Sequence, residues 1–358
     1  VSGGAPSGAR TTRPGPGAAE SVALLLAGAL LVLVALSASV SPAVAQVPAP
    51  GADDGLAVLR RAAASGGGVA FEGVQAVTAA GEDGPRTRLV EVVHVPGEGT
   101  GFSGAAAEPD PALVVDQSAW RLRLDEELLG DLAANYRVTD SGTGRVCGRE
   151  VRRVEALRAD GSVAGRFWID TETGLPLRHE VVDDAGRVAY GAEFLRLRVG
   201  GTPPLPDGAE AAAPWGEPVA DGDVERLRDE GWHLPGHLAW DLRLAEVRAK
   251  DAEGGRVLHL GYSDGLSVVS VFVQRGRLAD EPPEGWTTVP TDHGTVYTGD
   301  TLGRSRMWES GGFVYTVMAD APPELVTAAV DGFPPPGGDG VAPRLARGFA
   351  RLATLLGL

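Results

Sequence analysis

One cysteine, Cys147, one lysine, Lys250, and two methionines are all that this 358-residue chain holds of those three types. A lone thiol excludes an intramolecular disulfide, so the core must hold without covalent staples. Beside Gly148, Cys147 reads as a small buried side chain. The scarcity of lysine against 31 arginines, with abundant alanine and glycine, looks like coding bias and carries no mechanism. Basic charge is short overall: 32 Lys and Arg face 48 Asp and Glu, a formal net charge of −16. That balance argues against nucleic acid, whose phosphates need a basic surface. Charge is missing altogether between Glu20 and Asp53, where Val22 to Leu36 is a run of 15 residues of Val, Ala, Leu and Gly.

That run is an export or membrane signal, and two readings compete for it. Ala43-Val44-Ala45 fits the small-x-small pattern of signal-peptidase cleavage, with Arg10 and Arg13 as a weak basic flank. Alternatively, the uncharged stretch from Ser21 to Ala45 is long enough to span ~30 Å of hydrocarbon as a helix. Both readings treat residues 1–46 as a signal peptide or anchor and place the rest of the chain outside the cytoplasm. No cysteine stands just after the run to carry a lipid.

With 43% apolar residues, the remainder suffices for about two packed domains. Asp53 and Asp54 cap a short amphipathic helix over Leu56 to Ala64, ended by Gly66-Gly67-Gly68. Alternating segments rich in Val, Phe and Thr then run from Val69 to Leu197, among them Thr87 to Val95, Ala119 to Leu124, Arg149 to Arg158 and Ser162 to Ile169. Nearly every join is a glycine turn, so 52–199 reads as a curved or half-closed antiparallel sheet. Residues 200–223 shift to Pro, Gly and Ala, as an interdomain linker does. A smaller α+β unit occupies 224–334, closing in a helix started by Pro322-Pro323. In the tail, 335–358, Leu345, Phe349, Leu352 and Leu356 form one stripe opposite Arg344, Arg347 and Arg351. This basic amphipathic helix suits a membrane surface and the protein's own core equally.

Three motifs look like chemistry. Gly261-Tyr262-Ser263-Asp264-Gly265 matches the GxSxG nucleophile elbow, but the elbow needs a helix after it, and Leu266 to Val273 is a strand pattern with four valines. It therefore reads as a tight hairpin with Asp264-Gly265 as the two-residue turn, an esterase using Ser263 being the minority case. Gly99-Thr100-Gly101-Phe102-Ser103-Gly104 matches GxGxxG without the following helix, since Pro109 and Pro111 intervene, and reads as a flexible loop. His233 and His237 have metal-ligand spacing, which Pro235-Gly236 breaks. His94, His179, His259 and His293 stand alone, partly exposed or hydrogen-bonded by default; a pH sensor among the six is not singled out by sequence. No cofactor or metal is expected.

Two strand-turn-strand phrases carry a family resemblance. One runs through Phe167-Trp168-Ile169-Asp170 and Thr173-Gly174-Leu175-Pro176-Leu177; the other is Tyr262-Ser263-Asp264-Gly265-Leu266-Ser267 with Ser270-Val271-Phe272-Val273. With Phe71-Glu72-Gly73, Asn135-Tyr136-Arg137-Val138, Val146-Cys147-Gly148-Arg149, Gly231-Trp232, Leu234-Pro235, Trp308 and Val314 to Val317, they make the chain resemble the MucB/RseB family from about Gly55 to Pro334. The resemblance implies an α+β, β-rich fold: a LolA-like half-open antiparallel β-barrel domain followed by a smaller α+β domain. It also implies a non-enzymatic regulator that binds the extracytoplasmic part of a membrane anti-sigma factor and is released by a lipid-like signal. The competing readings are a lipid or lipoprotein carrier and the Ser263 esterase. Membrane contact would run through 22–45 or 344–356.

Overall fold

The computed structural model describes residues 55–337, except 82–83, 105–112, 116–125, 202, 206–210, 213–215, 253–254, 280, 283–285, 292–293 and 300–304. The apolar run, its cleavage site, the helix-capping pair Asp53 and Asp54, the expected strand Ala119 to Leu124, His293 and the amphipathic tail lie outside the described residues.

Among the described residues, the first half builds one ten-stranded sheet. In chain order come helix α1 (Gly55–Gly66), β1 (Phe71–Gly81), β2 (Gly84–Val95), β3 (Gly99–Gly104), β4 (Leu113–Val115), helix α2 (Glu126–Asn135), β5 (Arg137–Val146), β6 (Arg149–Leu157), β7 (Val163–Asp170), β8 (Pro176–Val182), β9 (Val188–Val199) and β10 (Ala211–Ala212). The strand order is β10-β4-β3-β2-β1-β9-β8-β7-β6-β5, with β5 and β10 as unclosed edges. Every pairing is antiparallel except β10 with β4. Alternation selects the faces. Val77, Val90, Val92, Val154, Phe167, Ala192 and Phe194 turn to one side, where α1 adds Val58, Leu59 and Ala62 and α2 adds Leu129 and Leu132.

The opposite face of this sheet is held by charge. Across β6, β7, β8 and β9 runs a ladder of ion pairs: Glu155 to Arg166 (3.5 Å), Arg166 to Glu180 (3.0 Å), Glu180 to Arg178 (2.6 Å) and Arg178 to Glu193 (3.1 Å). The Arg178 guanidinium also lies 4.5 Å over the Trp168 ring. Planar arginines suit this role better than lysines, because each can bridge two carboxylates and stack on an aromatic face.

The second sheet has eight strands: β11 (Glu217–Pro218), β12 (Arg243–Ala252), β13 (Gly255–Ser263), β14 (Val268–Arg275), β15 (Trp286–Thr291), β16 (Gly294–Gly299), β17 (Ser305–Ser310) and β18 (Phe313–Asp320), with helices α3 (Asp221–Asp229) and α4 (Pro323–Asp331). Its order is β11-β12-β13-β14-β18-β17-β16-β15. One face, with Leu258, Leu260, Val271, Trp308, Tyr315 and Val317, packs with Val224 and Leu227 of α3 and Leu325, Val326 and Ala329 of α4. From the other face, Phe272, Met307 and Met318 join the apolar cluster of the first sheet. The central strands are thus buried on both sides, which explains unbroken runs such as Val268 to Val273.

Four elements differ from the sequence expectation. Gly99–Gly104 is a strand, not a flexible loop: β2 offers it six partners, Val90 to Val95, and this ladder overrides the weak strand preference of glycine. Helix α2, with buried Leu128, Leu129 and Leu132, and edge strand β15 were not anticipated. Nor is 200–223 a plain linker. Its residues pair at Ala211–Ala212 with the first sheet and at Glu217–Pro218 with the second, and α3 begins at Asp221.

Three histidines stack on phenylalanines directly opposite them in the ladders: His94 on Phe71 (5.3 Å), His179 on Phe167 (4.9 Å) and His259 on Phe272 (4.8 Å). His94 and His259 are buried. His94 Nδ1 and the Thr100 hydroxyl are 2.8 Å apart, and Nε2 lies 3.5 Å from the Gly67 carbonyl. His259 Nε2 and Ser270 Oγ are 3.0 Å apart, and Arg248 stands opposite His259 on β12. Burial lowers both imidazoles below 6.5, against the two carbonyls of Gly67 and Gly99 at His94 and aided by Arg248 at His259, which falls to about 3. Above pH 6.5 neither folded nor unfolded chain binds the proton, and the full stability is present. Below it the unfolded chain takes up protons that the folded one refuses, so stability falls from pH 6.5 towards the folded values. The unfolding free energy from urea titration should be lower at about pH 5 than at about pH 7.5, with His259 contributing a slope of roughly 1.4 kcal/mol per pH unit below pH 6.5. The non-titrating H259N should remove that share, and equal slopes for variant and parent would refute it.

Candidate functional site

The YSDG loop sits where the second sheet meets helix α2 of the first. β13 ends at Ser263 and β14 starts at Val268, so the loop is Asp264 to Ser267, four residues rather than two. The Asp264 carboxylate makes the difference: Oδ1 accepts from the Leu266 (2.8 Å) and Ser267 (2.6 Å) amides, replacing the backbone turn of a shorter hairpin. Oδ2 accepts from the Tyr136 hydroxyl (2.7 Å), and the Asp264 carbonyl accepts from Asn135 Nδ2 (2.9 Å), both at the C-terminal end of α2. Burial pushes the Asp264 carboxyl up against these donors, and burial and the Asp264 charge push the Tyr136 phenol up.

Gly265 lies against α2 itself. It has φ +90°, and a Cβ there would stand 2.2 Å from the Leu132 amide nitrogen and 2.8 Å from the Leu128 carbonyl oxygen. Leu266 then inserts over β7, where only a glycine fits: a Cβ on Gly165 would come within 2.4 Å of Leu266 Cδ1. At the rim, Arg243 donates to Asp131 (3.3 and 2.7 Å) and to Glu127 (2.7 Å), both on α2. Those two carboxylates raise the Arg243 guanidinium above its ordinary value.

The FWIDTETG turn repeats this construction on α1. Asp170 accepts from the Thr173 hydroxyl and amide (3.2 Å) and from Arg149 Nη2 (2.8 Å), while its own amide donates to the Leu175 carbonyl (2.8 Å). Burial alone would raise the Asp170 carboxyl, but Arg149 and Thr173 outweigh it and hold it below the ordinary value. Gly174, at φ +75°, faces α1: a Cβ would meet Ser65 Oγ at 2.0 Å. Leu175 is buried and Pro176 opens β8 opposite Ile169.

The structure thus separates the expected residues into two helix-docking turns. Trp168 sits under Arg178 on the charged face. Tyr262 is buried and donates to the Pro235 carbonyl (2.8 Å), and Phe272 carries His259. Ser263 is buried, and its hydroxyl donates to the Ser267 carbonyl (2.8 Å) and accepts from the Gly265 amide (3.0 Å). It is committed within its own loop, and a strand comes next where a nucleophile elbow requires a helix. Cys147 is half-buried rather than buried, because it takes φ +51° beside Gly148 (φ +77°) in a two-residue turn between β5 and β6. His233 Nε2 donates to the Gly332 carbonyl (3.2 Å), while His237 bridges Arg243 through the backbone, so the pair serves two local structures.

Sequence reasoning passed over one loop of the junction. Between Leu238, whose amide donates to the Leu242 carbonyl (2.8 Å), and the His237–Arg243 bridge, Trp240 (φ +65°) and Asp241 (φ +55°) are both left-handed. Such backbone costs about 1–3 kcal/mol per non-glycine residue. Trp240 is 53% exposed, and Asp241 is close enough to Tyr136 to contribute to its raised pKa. The available signal was a tryptophan between small and acidic residues, Ala239 and Asp241, in a turn-like stretch.

A family model, the MucB/RseB N-terminal domain, matches residues 109–215, an interval that contains the FWIDTETG turn. Over that interval the chain is similar to the MucB/RseB family. A curated protein similar to it is the sigma factor AlgU regulatory protein MucB of Pseudomonas aeruginosa, 29% identical over 188 residues. That alignment covers 51% of this chain and 56% of MucB, so the chain spans little more than half the length of this relative. Among solved structures, MucB is similar with 22% identity and a TM-score of 0.42, covering 78% of this chain and 98% of that one. The complex of Pseudomonas aeruginosa MucA and MucB gives 21% identity and 0.40, covering 77% and 96%.

The junction ranks its own substitutions. G265A combines a left-handed φ with a collision against the α2 backbone and should cost about 3–4 kcal/mol. G148A, at positive φ with open space around it, should cost about 1 kcal/mol. D264A strands two amides and the Tyr136 hydroxyl, for about 2–3 kcal/mol. R243A, partly exposed and screened, should cost only about 0.5–1 kcal/mol. Urea titrations of the four variants check the order, and G148A costing as much as G265A would refute the close approach.

Proposed function

We propose that this chain is an exported, non-catalytic regulator that grips the extracytoplasmic segment of a membrane anti-sigma factor and so tunes a sigma-factor response to envelope stress. Similarity carries the reading: residues 109–215 match the MucB/RseB N-terminal domain model, and the similar curated protein is a regulatory protein of the sigma factor AlgU. The placement of Ser263 supports the absence of hydrolase chemistry, since its hydroxyl is occupied inside a hairpin. The organisation as a barrel-like unit at 52–199, a connection at 200–223 and a smaller unit at 224–334 belongs to the proposal. So does an extracytoplasmic location, with 22–45 as signal or anchor.

The finer form of the reading adds a lipid-like molecule whose acyl chain loosens the grip. The apolar face that carries Phe71, Val92, Phe167 and Phe194 is the surface such a chain would seek, and because α1 and α2 cover it, the chain would reach it only by displacing a helix. A carrier would need that face open to cargo, whereas Leu59, Leu129 and Leu132 of the two helices are fully buried with it.

Titration of the full chain with the purified extracytoplasmic segment of each membrane anti-sigma factor of its source genome tests the proposal. Saturable one-to-one binding to one of them, with micromolar or tighter affinity, is the expected result. Failure to bind every one of them would sink the reading.

A further inference from the structure

We propose that Trp240, on its left-handed loop at the junction of the two sheets, is the anchor by which a protein segment carrying a basic side chain beside an apolar one docks. This rests on the regulatory reading above and adds to it the place and chemistry of the contact.

An exposed apolar side chain alone is no signal. Trp240 differs because the backbone that presents it, at φ +65°, is unfavourable for a tryptophan, while Asp241, at φ +55°, is of a type that accepts it. Glycine or asparagine would relieve that strain, yet position 240 holds a tryptophan. The loop is also rigidly mounted. Leu238 and Leu242 on its two arms are buried, the Leu238 amide donates to the Leu242 carbonyl, and the Leu244 amide donates to the Gly236 carbonyl (2.9 Å). Arg243, the next residue, is held by Glu127 and Asp131, so the tip has a fixed position relative to α2. A preorganised aromatic loses little freedom on binding, which is why tryptophan dominates interface energetics.

The rim sets the occupant's chemistry. Asp241 is exposed beside Trp240, and Glu127 keeps 60% of its side chain exposed while bonding Arg243. The whole chain carries −16. An arginine or lysine can lie over the indole face while its charge meets Asp241. The same carboxylates repel anionic lipid headgroups, so the geometry favours a protein segment over a membrane surface.

The test uses the full chain with a fluorescein-labelled probe, the anti-sigma extracytoplasmic segment bound by the parent protein. W240A should weaken binding at least tenfold, about the loss of a hot-spot residue. W240G should weaken it equally while raising the thermal midpoint, because glycine accepts the left-handed backbone. D241N should weaken binding a few-fold and flatten its salt dependence. Parent binding with W240A within about twofold of it overturns the anchor and leaves the regulatory reading standing. A parent that binds no such segment overturns both. Loss confined to binding of phosphatidylglycerol vesicles overturns the choice of a protein occupant.

Discussion

The arrangement of this molecule depends on the contact between Gly265 and the backbone of α2. A loop tip without a side chain can approach a helix to within the reach of a single missing Cβ, and that approach brings Asp264 under Tyr136 and Asn135. Moving the loop outward by a methyl group would part the Asp264 carboxylate from its third donor and lift Leu266 off Gly165. The contact is therefore all or none: a polar clasp and an apolar insertion share one distance. Arg243 at the rim, exposed and screened, fixes orientation more than it adds stability.

Both family phrases solve the same problem with the same parts. Each has an aspartate that accepts from at least one amide of its own turn, and each has a left-handed glycine lying on a helix: Asp170 and Gly174 on α1, Asp264 and Gly265 on α2. The carboxylate makes the turn rigid before it docks, and the glycine lets it dock closely. Both aspartates are engaged by donors of their own turns, and their spacing follows from packing. A motif can therefore persist for the sake of a docked turn.

Local chemistry was legible in the sequence and distant partnership was not. The turn at Gly174 and the strand character of Val268 to Val273 follow from turn residues and β-branched runs. The four-residue form of the YSDG loop did not, because it depends on a carboxylate turning back onto amides that only the folded chain aligns. Gly99–Gly104 reads as a loop by composition and becomes a strand because β2 is already there. Helix α2 carries a fair apolar pattern at Leu128, Leu129 and Leu132, but its importance comes from residues more than a hundred positions later, Arg243 and Asp264. The strain at Trp240 is a backbone property with no composition of its own.

The passage from one sheet to the other has a consequence for how forces travel through the chain. Ala212 is paired to an edge of the first sheet and Glu217 to an edge of the second, so five residue steps, about 17 Å at full extension, are all that separates the two edges along the chain. A tether that short and fastened at both ends gives neither sheet room to swing. A pull on one is taken up by the β10–β4 and β11–β12 pairings, so these short ladders, not the polypeptide between them, act as the mechanical fuse of the molecule.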